Sequence, residues 1–247
     1  MRIFILFLFV ININLYSDDG FDSFEDEFEQ ELVAKEKKVE VYDPLIGYNR
    51  FMTSFNDVLM IHVVEPVTTG YRFITPEQFR ISVDNFFSNL YYPISVTNNL
   101  LQLKFEYSFT ETVRFLANST LGVLGLFDIA DSWFDIKPHQ EDFGQTLGHY
   151  GVGSGFPIVL PFFGQKNLRD LVGKITDNFI DPTSYATSNI EDDVLSYTSY
   201  LLISGYEDVN EYSLSDTSYE ELTKGAIDLY PFIRDAYEQN RNKLIEE

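Results

Sequence analysis

The sequence contains no cysteine, a single tryptophan and only 17 lysine and arginine residues against 39 aspartate and glutamate residues. Without cysteine the chain has no disulfide bond, no thiolate metal ligand, no cysteine nucleophile and no cysteine that a lipid can modify. Its formal charge of -22 repels a phosphate backbone over most of the surface. We therefore expect neither a nucleic-acid partner nor cysteine chemistry.

The 247-residue chain is rich in aromatic side chains, with 23 phenylalanines and 16 tyrosines. Its hydrophobic share of 45% exceeds what a disordered chain carries, so the apolar residues must pack against something. This amount of ring surface is more than a soluble core of this size requires. The composition therefore indicates contact with lipid.

The beginning of the chain has the pattern of a secretory signal peptide. Arg2 precedes an apolar run from Ile3 to Ile11, and the following mixed stretch ends at Ser17. The run is too short to cross a hydrocarbon layer of about 30 Å. A buried N-terminal helix is the alternative, but the order of charged, apolar and small residues favours export.

Helical periodicity follows for most of the chain. One stripe begins at Phe51, and we expect its helix to end at Pro66. Thr75 and the three residues after it predict an N-cap with a capping box, which begins a second helix. Further stripes start near Ile94, Phe105, Leu168, Ile190 and Pro231. No segment alternates with period two, so the predicted fold class is all-α.

A glycine-rich region interrupts this pattern. Seven of the 14 glycines lie between residues 144 and 173, and Gly151, Gly153 and Gly155 alternate with other residues. The apolar stretch behind them contains two prolines, which lack amide donors and disfavour a regular central strand. The region predicts an irregular, hinged hairpin, with an ordinary tight turn as the alternative.

No motif for catalysis or cofactor binding is complete. Phe156 stands where a dinucleotide fingerprint has its last glycine, and Ser154 lacks the glycines of a nucleophile elbow. The three histidines include no pair at i and i+4. A metal site at His139 with Glu141 and Asp142 is a weaker interpretation than a solvated loop. We expect no enzyme activity, no cofactor and no metal.

Several motif blocks, in a fixed order, resemble the MlaA (VacJ) family. They are DPLIGYNRFM (43–52), NFFSNL (85–90), NNLLQ (98–102), RFLANSTLG (114–122), GLFDIA (125–130), EDFGQTLG (141–148) and YGVGSG (150–155). The core of the resemblance covers residues 43–181, and YPFIRDAY (230–237) looks like the closing helix of the family. The domain prediction is a signal peptide at 1–17, an acidic tether at 18–42 and one helical domain at 43–247, with C-terminal helices at 189–247.

The resemblance implies a ring-like arrangement of short amphipathic helices with a glycine-rich hairpin, embedded in one leaflet of a membrane. It implies that phospholipids leave the outer leaflet of the outer membrane and pass without covalent chemistry through an amphipathic channel, which maintains lipid asymmetry. The implied partners are phospholipid, an outer-membrane porin trimer, the inner leaflet of that membrane and a soluble, MlaC-like periplasmic carrier. The implied location is the periplasmic face of the outer membrane.

The resemblance also assigns roles to particular residues. It makes Gly151, Gly153 and Gly155 the hinge of a gating hairpin, and it places Phe55 and Asn56 in a segment that regulates the channel. A core phenylalanine beside an exposed asparagine is an equal alternative for that segment. Four polar residues on otherwise apolar helices are candidates for the channel wall or for hydrogen bonds in the core: Asn85, Asn89, Arg114 and Asn118.

The chain departs from the family pattern at its beginning. Most members carry a lipid-modified cysteine after the signal peptide, and this sequence has no cysteine, so we expect no N-terminal lipidation. The signal is either cleaved near Ser17 or retained as an anchor. Two other functions stay open, a phospholipid hydrolase and a structural scaffold associated with a porin.

Overall fold

The structure is a computed structural model that describes residues 41–188, 193–215 and 217–247. The predicted signal peptide and almost all of the predicted tether lie outside the described residues. Residues Asp43–Glu247 form one unit. Helices predominate in this unit, and the described residues contain one two-stranded sheet. The all-α prediction is confirmed.

Most of the helices are short, and four of them begin at or near the predicted stripe starts Ile94, Phe105, Leu168 and Pro231. The predicted start at Ile190 lies outside the described residues. The first part comprises α1 (Ile46–Leu59), a π-helical segment (Met60–Val64), α2 (Glu65–Ile74), α3 (Glu77–Leu90), α4 (Tyr92–Leu101), α5 (Phe105–Thr120), α6 (Ile129–Phe134) and α7 (Phe143–His149). The second part comprises strands β1 (Pro157–Leu160) and β2 (Gly164–Asn167), then α8 (Leu168–Asp177), α9 (Pro182–Ser188), α10 (Asp193–Leu214), α11 (Tyr219–Thr223) and α12 (Leu229–Glu246). Among the described residues, no helix combines the length and the apolar character that crossing a membrane requires.

The predicted helix end at Pro66 is wrong. The chain stays helical from α1 through the π-helical segment into α2, and Pro66 lies in the first turn of α2. Because the residues before Pro66 are helical, its missing amide leaves a carbonyl of the preceding turn without a helical donor, and the helix is irregular at this point, with π-helical geometry.

The predicted capping box at Thr75 is also wrong, although α3 begins where the sequence predicts. The N-cap is Pro76, without a side-chain hydrogen bond, and the Thr75 hydroxyl donates backwards to the carbonyl of Tyr71 at 2.5 Å. A capping box occurs instead at the start of α7, between Asp142 and Gln145. The Thr75 hydroxyl therefore satisfies a carbonyl in the last turn of α2 and does not cap α3.

The hairpin is more regular than its prolines predicted. Strands β1 and β2 pair antiparallel, with Pro157 opposite Asn167 and Leu160 opposite Gly164. Pro157 is the first residue of its strand and Pro161 lies in the turn, so neither missing amide interrupts the ladder. A hairpin is present as predicted, but the prediction that its backbone is irregular is wrong.

The helices contact one another in a closed order, which agrees with the predicted ring-like arrangement. From α1 the contacts run through the π-helical segment to α2, α10, α3, α4, α7 and α12, and α12 returns to α1. Strand β2 contacts α1, α8 and α12, and α8 contacts α7. The hairpin and α8 therefore belong to the part of the ring that α7 and α12 form.

The distribution of side chains is inverted relative to a soluble protein. Six hydrophobic residues are buried in the described part of the chain: Phe87, Ile94, Ile129, Ala130, Val159 and Tyr230. More than twenty polar or charged residues are buried there, and many large hydrophobic side chains are exposed. At the end of α4, for example, Asn98, Asn99 and the C-cap residue Gln102 are buried, while Leu100 and Leu101 are nearly half exposed. The polar faces of the helices therefore meet in the interior.

Candidate functional site

A polar cavity of about 170 Å³ lies between α3 and α5. Its lining comprises Asp84, Asn85, Ser88, Asn89, Tyr92, Glu111, Arg114, Phe115, Asn118, Asp128, Pro138 and Gln140. All four candidate channel-wall residues belong to this lining, so the fold brings them together from two helices. Their role in lipid passage stays a prediction.

Arg114 and Asn118 are held rigidly at one side of the cavity. Arg114 donates from Nη2 to Asp128 Oδ2 at 2.7 Å and from Nη1 to the carbonyl of Ile136. Asn118 donates to Asp128 Oδ1 at 3.0 Å and accepts from the amide of Ala130 at 2.9 Å. Burial alone would raise the pKa of Asp128, but the hydrogen bond from Arg114 holds it below its usual value. Both residues therefore line the cavity and also satisfy core hydrogen bonds.

The α3 side of the cavity is less constrained. Asn85 makes a long hydrogen bond of 3.4 Å to the carbonyl of Leu126, and Asn89 donates to the Ser119 hydroxyl at 3.0 Å. Burial raises the pKa of Asp84, which has no hydrogen-bond or ion-pair partner among the described residues. This side therefore offers acceptor oxygens that the protein does not use itself.

Phe55 and Asn56 contact the tip of the hairpin directly. Asn56 donates from Nδ2 to the carbonyl of Leu160 and accepts at Oδ1 from the amide of Phe162, both at 2.9 Å. The rings of Phe55 and Phe162 meet edge to face, with centroids 5.8 Å apart. The segment predicted to regulate the channel is thus the part of α1 that holds the hairpin tip.

Asn49 makes the same type of contact with the first part of β1. This residue was not among the candidates predicted from the sequence. This fully buried residue donates to the carbonyl of Pro157 and accepts from the amide of Val159, both at 2.9 Å. The seven-residue spacing between Asn49 and Asn56 places both amides on one face of α1. This spacing of seven residues was the sequence signal that could have identified Asn49 as a second contact to the hairpin.

The three candidate hinge glycines lie in the loop between α7 and β1, before the hairpin. Gly151 and Gly155 adopt positive φ angles of 81° and 74°, whereas Gly153 does not. A Cβ atom at Gly155 would approach Leu168 Cβ to 2.9 Å, while Gly151 and Gly153 have open space. The left-handed backbone at Gly151 and Gly155 therefore favours glycine at these two positions. The hinge role of all three glycines stays a prediction.

The closing helix α12 is fastened to both sides of this loop, which the sequence did not reveal. Arg241 donates to both carboxylate oxygens of Asp142 at 2.8 Å and also binds Asp170. Tyr237 donates to Asp170 at 2.7 Å. Burial would raise the pKa of Asp170, but the hydrogen bond from Tyr237 and the charge of Arg241 hold it below its usual value. The network joins α7, α8 and α12 around the loop.

The potential metal ligands of the sequence serve structural roles. His139 accepts hydrogen bonds at its carbonyl from Ser95 and Asn99, and its ring stacks on Tyr107 at 3.9 Å. Glu141 pairs with Lys104 at 2.7 Å. Nowhere in the described ranges do three such ligands gather in a way that could hold a metal ion.

A family model described as MlaA lipoprotein matches residues 41–244. The chain belongs to the MlaA lipoprotein family. Membership confirms the resemblance of the motif blocks, and the match extends over the C-terminal helices, where those blocks become sparse.

Three relatives are similar to this chain over different lengths. An uncharacterized protein of Rickettsia typhi is 36% identical over 209 residues, which cover 84% of this chain and 80% of the relative. The "Intermembrane phospholipid transport system lipoprotein MlaA" of Escherichia coli is 39% identical over 150 residues, 59% of each chain. An uncharacterized Rickettsia prowazekii protein is 41% identical, but the match spans only 60% of its length.

A solved structure, described as "Structural basis for maintenance of bacterial outer membrane lipid asymmetry", supports the fold. It matches with a TM-score of 0.66 and 32% identity. The match covers 83% of this chain and 99% of the other chain. The arrangement of helices described above is therefore shared with this MlaA-like structure.

Proposed function

We propose that this protein is a non-enzymatic phospholipid transport component of the outer membrane. It accepts phospholipids from the outer leaflet and conducts them through an amphipathic channel towards a soluble periplasmic carrier, which maintains lipid asymmetry. Family membership and the transport system named for the Escherichia coli relative support the general role. The matching solved structure, which concerns the maintenance of lipid asymmetry in the bacterial outer membrane, supports the link to that process.

The inverted burial pattern is the observation that carries this proposal. Phe73, Phe109 and Leu124 expose 91%, 70% and 70% of their surface, and α4 and α5 bury their polar faces instead. Contiguous apolar surfaces beyond a few hundred Å² mark contact with a membrane or a partner. Acyl chains satisfy such a surface without hydrogen bonds, and α-helices satisfy their own backbone groups in hydrocarbon.

The polar interior supplies what a headgroup needs in transit. A headgroup that leaves water must regain hydrogen bonds, or its burial costs several kcal/mol. The cavity of about 170 Å³ is smaller than a typical ligand pocket, so it accommodates part of a headgroup and not the acyl chains. Lipid tails then remain against the apolar outer faces.

The hairpin is the proposed gate. Its tip rests on Phe55 and Asn56, and the loop with Gly151, Gly153 and Gly155 connects it to α7. Movement at the glycines with release of the Asn56 contacts would open the passage. A porin trimer, the MlaC-like carrier and a place at the inner leaflet complete the proposal.

Reconstitution into vesicles tests this function. Phospholipid with a fluorescent acyl chain is loaded into the inner leaflet, and its appearance in the outer leaflet is followed with a membrane-impermeant reducing agent. We expect lipid to appear faster in vesicles with protein than in empty vesicles, with no fatty acid released. A reconstituted, folded protein that leaves the distribution unchanged contradicts transport.

The same experiment separates the other two functions. Release of labelled fatty acid would identify a phospholipid hydrolase. A protein that binds porin trimers but moves no lipid, with or without the porin, would be a scaffold. Either outcome would replace the proposed function.

A further inference from the structure

The cavity between α3 and α5 carries more negative charge than its own side chains neutralise. Its lining includes the three carboxylates of Asp84, Glu111 and Asp128 and the guanidinium of Arg114. Arg114 pairs with Asp128, with Nη2 2.7 Å from Oδ2. Asp84 and Glu111 therefore leave an excess of negative charge in one enclosed space.

Glu111 of α5 is the buried member of this pair. Only 6% of its surface is exposed. Its Oε1 accepts a hydrogen bond from the amide of His139 at 2.6 Å and lies 3.9 Å from Nε of Arg114. Among the described residues, none donates a hydrogen bond to the other oxygen, Oε2. Because a carboxylate oxygen withdrawn from water needs a hydrogen bond, the cavity has to receive a donor for Oε2.

Helix α3 adds further acceptors from the opposite wall. Asp84 and Ser88 lie four residues apart, so one face of the helix brings both to the cavity, and Ser88 is exposed, so solvent reaches the space. Asn89 joins the two walls by donating from Nδ2 to the hydroxyl of Ser119 in α5 at 3.0 Å. Its Oδ1 is buried and receives no hydrogen bond. The unused groups on both walls are acceptors, which indicates a cationic donor as the occupant.

We propose that this cavity binds a primary ammonium group between the carboxylates of Asp84 and Glu111. Such a group carries one positive charge and three N–H donors, which match the unused acceptors of the two walls. The headgroup of phosphatidylethanolamine and a small free amine present the same group. The lipid as its source rests on the proposed transport function, whereas the binding of an ammonium does not.

Other cations fit the cavity less well. A quaternary ammonium has no N–H donor, and its sites are built as aromatic cages. The rings of Tyr92 and Phe115 in the lining instead stack on each other, with centroids 4.3 Å apart. The described residues form no cluster suited to a metal ion. The volume of about 170 Å³ admits a small amine, since one water occupies about 30 Å³.

Amide NMR of the purified protein in a maltoside detergent tests this site, with ethanolamine and choline as the probes. We expect ethanolamine to shift the amide signals of Asp84 and Glu111 saturably, and choline to bind about tenfold more weakly. Asp84→Asn should weaken the binding of ethanolamine about fivefold and Glu111→Gln about tenfold. The matched control Glu106→Gln removes an exposed charge of α5 outside the lining and should leave the affinity unchanged.

Equal affinities for ethanolamine and choline, or an affinity for ethanolamine that neither cavity variant lowers, would overturn the proposal. Asp84 has no protein partner to lose, so Asp84→Asn keeps the test decisive if circular dichroism shows that Glu111→Gln does not fold.

Nanodiscs of two compositions distinguish the sources of the ammonium. One contains phosphatidylglycerol with phosphatidylethanolamine, and the other contains phosphatidylglycerol with phosphatidylcholine. If the lipid supplies the group, the first should shift the signals of Asp84 and Glu111 as free ethanolamine does, and the second should not. Identical signals in both, with free ethanolamine still bound, would support the site and assign it to a soluble amine. A protein that binds ethanolamine but moves no lipid would refute the proposed function and leave this site in place.

Discussion

The side-chain amide of Asn49 accepts a hydrogen bond from the backbone amide of Val159 at 2.9 Å, 110 residues further along the chain. The same side chain donates to the carbonyl of Pro157, so one asparagine of α1 pairs with strand β1 as a neighbouring strand would. Asn56 repeats the arrangement at the hairpin tip. Helix α1 therefore fixes the hairpin by side-chain amide contacts at two points, beside the ring contact of Phe55 with Phe162 at the tip.

Replacement of Asn49 should destabilise the whole protein. An aspartate still accepts from Val159 but cannot donate to Pro157, and it places a second carboxylate beside Asp43. We expect Asn49→Asp to lower the free energy of unfolding by about 2–4 kcal/mol. Denaturant unfolding measures this, with Ser54→Ala on the exposed face of α1 as the control. A loss no larger than that of the control would mean that the amide does not hold β1.

Replacement of Asn56 should act locally. Asn56→Ala removes the two hydrogen bonds of the hairpin tip, of which the Phe162 amide is exposed, so we expect a loss of only about 1–2 kcal/mol. Amide hydrogen exchange at Phe162 should accelerate at least tenfold, and exchange at Val159 should not change. If the hairpin is the gate that we propose, basal lipid flux should rise because its tip is loosened. Unchanged exchange at Phe162 would contradict this role.

Alanine at the three loop glycines should give three different results. Gly153→Ala should be nearly neutral, because the position has open space and no positive φ. Gly151→Ala should lose about 1–2 kcal/mol from the left-handed backbone alone. Gly155→Ala should lose more, since its Cβ also meets Leu168. Thermal unfolding of the set ranks them, and equal losses would refute this account of the loop.

Stability should increase when the pH falls moderately below neutral. Burial raises the pKa of Asp84, Asp208 and Glu211, so the folded protein takes up protons before the unfolded chain does and is stabilised as the pH falls. Asp128 and Asp170 have lowered pKa values, so their contribution is lost below about pH 4.

The unfolding temperature measured across this range should therefore pass through a maximum between about pH 4 and neutrality. The variant Asp208→Asn, Glu211→Gln should show a smaller rise on acidification. A curve that falls continuously from neutral pH would contradict the raised pKa values of these carboxyl groups.

Periodicity predicted where most helices lie, but it could not predict which face points inwards. In α3, for example, Phe87 is buried and Phe79 is half exposed, although both are apolar residues of one helix. Continuation of the helix through Pro66 depends on a π-helical segment that no propensity indicates.

Part of the candidate site consists of residues that the sequence singled out, and their roles stay predictions. The motif blocks led to four residues that share one cavity and to the segment that holds the hairpin. The distant partners of Asn49 and Arg241, about 70 to 180 residues away in the sequence, were not predicted. Such pairings follow from the closed order of the helices, which local patterns do not encode.

Fluorescence quenching in lipid bilayers tests the central claim most directly, namely that the apolar faces meet lipid while the interior stays wet. The absence of cysteine allows a single probe to be attached at Phe109→Cys on an exposed face or at Ser88→Cys in the cavity. We predict that nitroxide on acyl chains quenches the probe at position 109 and that aqueous iodide quenches the probe at position 88. Strong quenching by iodide and none by nitroxide at position 109 would contradict the account.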